Sequence, residues 1–331
     1  MVTYSRETFR RFLQAEGRPK HITVVLGNFD GVHTGHRELL RAASFEKKMS
    51  GGISVVWTFQ RRADQTDCVI TAEERLRLFK ENGIDAVVLC DFDEVRGLSP
   101  EDFVKEILCG DLSADVCICG FNYRFGHRAS GTAEDLKNIC RRYGIETKIC
   151  DKVVDGEGIA VSSSRIRRLL TQGNVEAVKE LLGRSYSLEL RVLRGHRIGR
   201  TIGVPTVNQE MPRELITPRF GVYAGRTHID GKIYPSVTNV GVRPTVSKET
   251  GDPHRVSVET HIIGFDGDLY GDTVRVELCS FLRPEEKFAS VEELKAAVHH
   301  NIGQAKALFE KYEEFEANAA AKTEKEAEES E

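Results

Sequence analysis

The chain of 331 residues contains no Gly-x-x-x-x-Gly-Lys-Ser/Thr loop and no Gly-x-Gly-x-x-Gly fingerprint. The first absence removes the P-loop nucleotide hydrolases, and the second removes the main sequence argument for a nicotinamide dehydrogenase. Eight cysteines are present but none forms a Cys-x-x-Cys pair, so structural zinc has no starting point. No apolar run approaches the roughly 18 residues that a membrane span needs, and none at the start reads as a secretory segment. The cysteines are therefore expected to be reduced, buried thiols of a cytoplasmic protein. Basic excess is also missing. The net charge is −4, and the six Glu and two Lys from Glu316 onward account for all of it, which argues against a nucleic-acid partner.

What remains is enough chain for two domains, each able to bury a core. From Ile22 the pattern alternates apolar strands (Ile22–Leu26, Ile53–Phe59, Asp85–Cys90, Asp115–Cys119) with helices. Thr71 with Glu74, and Ser99 before Pro100, mark two helix starts. Strands separated by helices predict a parallel, doubly wound sheet whose ligands bind beyond the carboxyl ends of its strands. Helical patterns over Ser164–Leu170 and Val175–Leu182 close this part near Gly183. The period then changes to two, as in Leu188-x-Leu190-x-Val192 and Val256-x-Val258-x-Thr260-x-Ile262, with a hairpin turn at Asp230-Gly231. That predicts a small antiparallel β-barrel, then a helix from Ser290 to about Phe315. The expected domains are 1–183 and 184–315, with 316–331 a disordered acidic tail.

Chemistry concentrates in a few stretches. Leu26-Gly27-Asn28-Phe29-Asp30-Gly31-Val32-His33-Thr34-Gly35-His36 joins a buried strand to an amphipathic helix. A Gly-rich turn feeding a helix N-terminus is an anion site, and His33 and His36 are spaced to donate to one polyphosphate. The plainer alternative is a turn with two surface histidines. Gly120-Phe121-Asn122-Tyr123-Arg124-Phe125-Gly126 leaves the same sheet edge, and its aromatics and arginine suit a flat ring and a phosphate, or simply a packed turn. In Val161-Ser162-Ser163-Ser164-Arg165-Ile166-Arg167, basic residues open a helix against its dipole, which a polyphosphate would explain. In the second half, Gly195, Gly199 and Gly203 punctuate a basic loop ending Pro205-Thr206-Val207-Asn208. If that strand continues, Thr206 and Asn208 point to one side as neutral oxygen ligands for Mg²⁺; otherwise Asn208 caps a turn. Alternation also places Ser257, Glu259 and His261 on one face.

These motifs, in this order, resemble the bifunctional riboflavin kinase/FAD synthetase family of prokaryotes. Gly27–His36, Gly120–Gly126 and Ser162–Arg167 look like the motifs of flavin-adenylating HxGH nucleotidyltransferases. Gly195–Asn208, Gly221–Ala224, Asn239–Thr245, Val258–His261 and Phe265–Gly271 look like those of riboflavin kinases. The resemblance implies a Rossmann-like amino domain and a riboflavin-kinase barrel. It implies ATP, riboflavin, FMN and FAD as substrates or products, Mg²⁺ as cofactor, and no obligatory protein or membrane partner. His33 and His36 would serve adenylyl transfer, with Gly27, Asn28, Phe29, Asp30, Gly31, Gly35, Ser163, Ser164, Arg165 and Arg167 binding nucleotide, and Asn122, Tyr123, Arg124 and Phe125 binding flavin. Glu259 would be the general base of the kinase, Gly195, Gly199 and Gly203 its phosphate loop, and Thr206 and Asn208 its metal ligands. One departure stands out. Where the family carries Phe-x-Pro-His-Pro, this chain reads Phe59-Gln60-Arg61-Arg62-Ala63. Arg61 and Arg62 either replace the missing histidine or are solvated loop cations. A riboflavin kinase lacking FAD synthesis, and a flavin-binding regulator without turnover, are the alternatives to two activities.

Overall fold

The computed structural model describes residues 1–61, 66–194, 203–242 and 256–328, with side chains as far as residue 314. The chain divides into two compact units. One is Met1–Ile166 with Leu181–Gly183, and the other is Arg167–Glu180 with Arg184–Glu331.

In the first unit, β1 (Val2–Ser5), β2 (Ile22–Leu26), β3 (Ile53–Phe59), β4 (Ala86–Cys90), β5 (Val116–Gly120) and β8 (Glu146–Cys150) form a sheet ordered β1-β4-β3-β2-β5-β8. Every neighbouring pair runs parallel. β6 (Arg124–Phe125) and β7 (Gly131–Thr132) make a separate ribbon. All five side chains of β2 are buried, as expected of a central strand covered on both faces. The chain builds from β2 through β3 to β4 on one side, then crosses to place β5 on the other. β2 and β5 therefore flank the switch point, and the residues leaving their carboxyl ends are Gly27 and Phe121. β1 is an edge strand that periodicity did not signal, since its pairing with β4 comes from backbone bonds and its side chains stay largely exposed.

Helix α1 (Arg6–Ala15) follows β1, α2 (Thr34–Ser50) follows β2 and α3 (Ala72–Glu81) precedes β4. Thr71 Oγ1 accepts from the Glu74 amide at 3.1 Å, as its position predicts, while the Glu74 carboxylate clasps Arg77. The expected helix after Pro100 widens into a π-helix over Phe103–Asp111.

In the second unit, β9 (Tyr186–Leu193), β10 (Val207–Glu210), β11 (Gly221–Ile229), β12 (Lys232–Val242), β13 (Val256–Ile262) and β14 (Thr273–Arg283) close an antiparallel barrel in the order β10-β13-β12-β11-β14-β9. Asp230 and Gly231 both take positive φ at the β11–β12 hairpin, the turn that Asp-Gly favours. Gly225 has no alternative, because a Cβ there would lie 2.0 Å from the Glu277 carbonyl on β14. Some inward-facing polar groups pair with one another: Thr238 and Thr260 hydroxyls meet at 3.0 Å, and the Gln209 amide donates to Leu190 and Val274 carbonyls. The last helix, Val291–Glu328, lays Ile302, Ala305 and Leu308 against Val222, Ala224 and Val237. It runs beyond the Phe315 limit set by its apolar stripe, because the following Ala, Glu and Lys are strong helix formers.

On the outside of the barrel, Glu277 is nearly sealed from water between Arg226, which donates at 2.8 and 3.0 Å, and His228 at 2.8 Å. Burial by itself would raise this carboxyl. The His228 bond and the Arg226 charge outweigh it, and the pKa falls from 4.5 to about 2. A depressed carboxylate stabilises fully above its unfolded pKa and loses that contribution as pH falls through the folded value. Denaturant titrations of the wild type and Glu277→Gln should differ by about 3 kcal/mol above pH ~4.5, with the gap closing toward pH ~2. A gap independent of pH would show that the carboxylate charge is not what matters.

Candidate functional site

The residues after β2 are shaped by a frame of buried polar contacts. Phe29, Gly31 and Val32 all take positive φ, which throws the chain into a tight left-handed course before α2. Phe29 turns its ring into the core, 5.3 Å edge-on to Phe79 and 5.1 Å from His36. Asp30 accepts from the Val69 amide at 2.9 Å and faces Arg61 at 3.5 Å. Arg75, buried on α3, donates to the Asn28 carbonyl at 3.1 Å and to the Phe59 carbonyl at 3.0 Å. Burial, then repulsion from Arg61, lowers its pKa to about 10, so it remains a cation at neutral pH. The side chains of Phe29 and Asp30, and the turn at Gly31, therefore build the frame instead of facing a nucleotide. Arg61 is likewise turned inward toward Asp30, with its side chain 11% exposed, and is not a solvated loop cation. Arg62 lies outside the described residues.

This frame delivers His33 as the cap of α2, where its Nδ1 accepts from the His36 amide at 3.2 Å. With Nδ1 accepting, the ring proton of His33 sits on Nε2. The His33 and His36 rings stack at 3.6 Å, tilted by 14°. Burial first, and the adjacent His33 second, push His36 well below the ordinary imidazole range. Two imidazoles stand at the positive end of a helix.

They open onto a cavity of about 690 Å³. Gly27, Asn28, His33, Gly35, His36, Ser163 and Ser164 line it together with Asn122, Tyr123, Arg124 and Phe125, so three stretches far apart in sequence share one wall. Ser163 is fixed by donating to the Asp30 carbonyl at 2.8 Å. Sequence reasoning missed most of the apolar side. Trp57, Phe59, Phe92 and Phe103 line the cavity, with successive ring centroids 5.1 to 5.3 Å apart. Phe125 joins them 5.4 Å from Phe103. Periodicity marks these only as core, because a residue at a strand's end and one in its middle read alike. Arg165 departs from expectation: its guanidinium is paired with Asp155 and donates to the Ile159 carbonyl, pinning the 151–160 segment. Arg167 belongs to the second unit.

In the barrel, Asn208 on β10 and Asn239 on β12 are the register partners of Glu259 on β13. Directly opposed residues share a face, so the three side chains form one row on the outer surface. Asn239 donates to Glu285 at 3.1 Å, and Gly241 admits that carboxylate, since a Cβ there would lie 2.0 Å from Oε1. Asn239 lies in one of the resembling motifs, but neither it nor Glu285 is among the residues nominated from the sequence. A second cavity, about 400 Å³, is lined by Gly203, Pro205, Thr206 and the Phe265–Tyr270 segment. Thr206 lines it, whereas Asn208 and Glu259 do not. Asn208 instead directs its amide N–H to the Thr206 carbonyl at 3.5 Å, and His261 bonds the Pro205 carbonyl at 2.7 Å. Gly195, Gly199 and Arg243-Pro244-Thr245 lie outside the described residues. Among the described residues no cluster of three His, Cys, Asp or Glu is placed to hold a metal.

Comparison with known proteins gives two family matches, FAD synthetase over residues 15–165 and riboflavin kinase over residues 182–309. A bifunctional riboflavin kinase/FMN adenylyltransferase of Pseudomonas fluorescens is 34% identical over 301 residues, covering 88% of this chain and 94% of the relative. The Escherichia coli K12 protein of the same description is 32% identical, covering 86% and 92%. A solved Streptococcus pneumoniae structure described as a macrolide-efflux protein superposes with a TM-score of 0.79 at 30% identity, over 92% of this chain and 98% of that one. Among the described residues no helix is long and apolar enough to cross a membrane.

Ring-nitrogen NMR should find His36 still neutral as the pH is lowered through 6.5, the value of an unperturbed imidazole. A midpoint at or above 6.5 would mean that the stacked pair carries charge at rest.

Proposed function

The chain belongs to the bifunctional riboflavin kinase/FMN adenylyltransferase family, and on that premise we propose that its two sites act in sequence, phosphorylating riboflavin and then adenylylating FMN. The single observation that carries the adenylyl-transfer reading is the shared wall of the larger cavity, where the histidine-capped helix end meets the aromatic stretch 121–125. Triphosphate would lie at the helix end and the flavin ring among the aromatics. An FMN phosphate oxygen attacks the α-phosphorus of ATP, and the bond to the β-phosphate oxygen breaks as pyrophosphate leaves with the electron pair. No protein nucleophile is needed. His33 and His36 donate through ring N–H groups, with the Gly35 amide and the Ser164 hydroxyl, to oxygens whose charge grows in the transition state. A neutral His36 suits this role, because it donates without needing a pH low enough to protonate it.

For the kinase step we assign Glu259 as general base. It takes the proton of the ribityl 5′-hydroxyl as that oxygen attacks the γ-phosphorus and ADP departs. Its register position between two uncharged asparagines supports the role, since neutral neighbours leave the carboxylate charge uncancelled. Asn208 uses its amide N–H on Thr206, which leaves Oδ1 available; with Thr206 Oγ1 it fits a hard oxygen-seeking ion. A bound Mg²⁺ there would neutralise phosphate charge. By the resemblance, Gly195, Gly199 and Gly203 would bind the nucleotide of this step.

Incubating riboflavin with Mg-ATP and resolving the flavins by chromatography should yield FMN and then FAD. FMN that accumulates with no FAD would favour a kinase alone, the reading that the Phe59–Arg62 departure motivates. Glu259→Gln should slow FMN formation by about 100-fold or more while FAD synthesis from supplied FMN stays within about twofold; equal inertness of wild type and variant would favour a flavin binder without turnover. Trp57 is the chain's sole tryptophan and lines the larger cavity. FMN should therefore quench its emission saturably, whereas unquenched emission with FMN bound would place the ring elsewhere.

A further inference from the structure

An ATP triphosphate brings several negative charges to this pocket, where two of the nominated arginines are engaged elsewhere. Arg61 faces Asp30 and Arg165 faces Asp155. Of the other cavity-lining cations, Arg96 pairs with Asp93 at 3.1 Å, and Arg124 and Arg128 belong to the 120–131 stretch that carries the aromatics. Lys152 is different. It lines the cavity on the segment directly beside α2, where a Cβ on Gly35 would lie 3.8 Å from Val153 Cβ and 3.3 Å from the His33 ring.

That segment is held in place. Val161 donates its amide to the Val153 carbonyl at 2.9 Å, and Asp155 accepts from the Ile159 amide at 2.9 Å while pairing with Arg165. Its backbone is anchored while the Lys152 side chain extends, exposed, from the rim. Asp151, the adjacent carboxylate, also lines the rim. An ammonium on a flexible stem is a point charge that can follow an anion as it moves, which a stacked imidazole cannot do.

We propose that Lys152 contacts the β- and γ-phosphates of ATP during FMN adenylylation and neutralises the charge gathering on departing pyrophosphate, in a chain where Arg61-Arg62-Ala63 stands in place of the family's Pro-His-Pro. This rests on the adenylyl-transfer reading above. The electron pair of the broken P–O bond stays with pyrophosphate, and the ammonium only stabilises it. Arg165 then acts as a positioning residue, since the loop it pins carries the lysine.

The test uses the full chain, whose kinase activity reports on folding and concentration in the same sample. Lys152→Met should lower kcat for FAD formation from FMN and ATP by about 30-fold or more, and weaken product inhibition by pyrophosphate about tenfold, with KM for FMN and riboflavin phosphorylation unchanged within about twofold. Lys152→Arg should recover most of the rate. In the wild type, α,β-methylene-ATP should protect Lys152 from amine acylation as read by mass spectrometry, and this measurement needs no variant. Wild-type FAD synthesis with a Lys152→Met rate within about twofold, or acylation unaffected by the analogue, would overturn the lysine assignment alone. A wild type that makes FMN but no FAD would instead overturn the adenylyl-transfer reading, and the lysine assignment with it.

Discussion

The first unit depends on one buried guanidinium. Arg75 bonds the Asn28 and Phe59 carbonyls, the backbone leaving two adjacent parallel strands, and so fixes the separation of the loops that follow β2 and β3. Asp30 supplies the nearby negative charge and takes the Val69 amide. From this knot the rest follows. The left-handed turn through Phe29, Gly31 and Val32 is held, α2 begins at His33, and Ser163 finds its acceptor on Asp30. A buried cation with carbonyl partners costs more to rearrange than an apolar contact, because each lost bond leaves a polar group unsatisfied.

The two units solve the same chemical task by different means. The sheet presents a helix N-terminus, with its fixed partial charge and a pair of imidazoles, at a switch point. The barrel uses strand register, which sets Glu259 between Asn208 and Asn239 with no loop to position it. Register is rigidly specified there because a slip by one residue would turn Val258 and Thr260 out of the core. Site residues on strands are thus held by the packing of their own neighbours.

Several assignments changed once side chains were placed. Asp30 and Arg165 sit within motifs that resemble phosphate sites, yet one carboxylate anchors an amide and the other residue's guanidinium anchors a loop. A motif records which residues occur together, and it does not distinguish a residue that touches ligand from one that holds the residue that does. The aromatic floor of Trp57, Phe59, Phe92 and Phe103 was invisible for a related reason, since apolar side chains facing a cavity and facing a core obey one periodicity. Lys152 carries no pattern at all, and only its place on the cavity wall draws attention to it.

By itself the sequence determined the alternation of buried strands and amphipathic helices, the change of period after Gly183, the Asp-Gly hairpin and the capped helix starts. Each of these depends on residues a few positions apart, whose side chains and turn preferences act locally. Tertiary structure alone decided that β1 adds an edge strand, that three distant stretches share one cavity, which arginines are engaged, and that Glu259 lies between two asparagines. Those outcomes depend on crossovers, register and competition among distant polar groups for a limited set of partners, none of which spacing along the chain encodes.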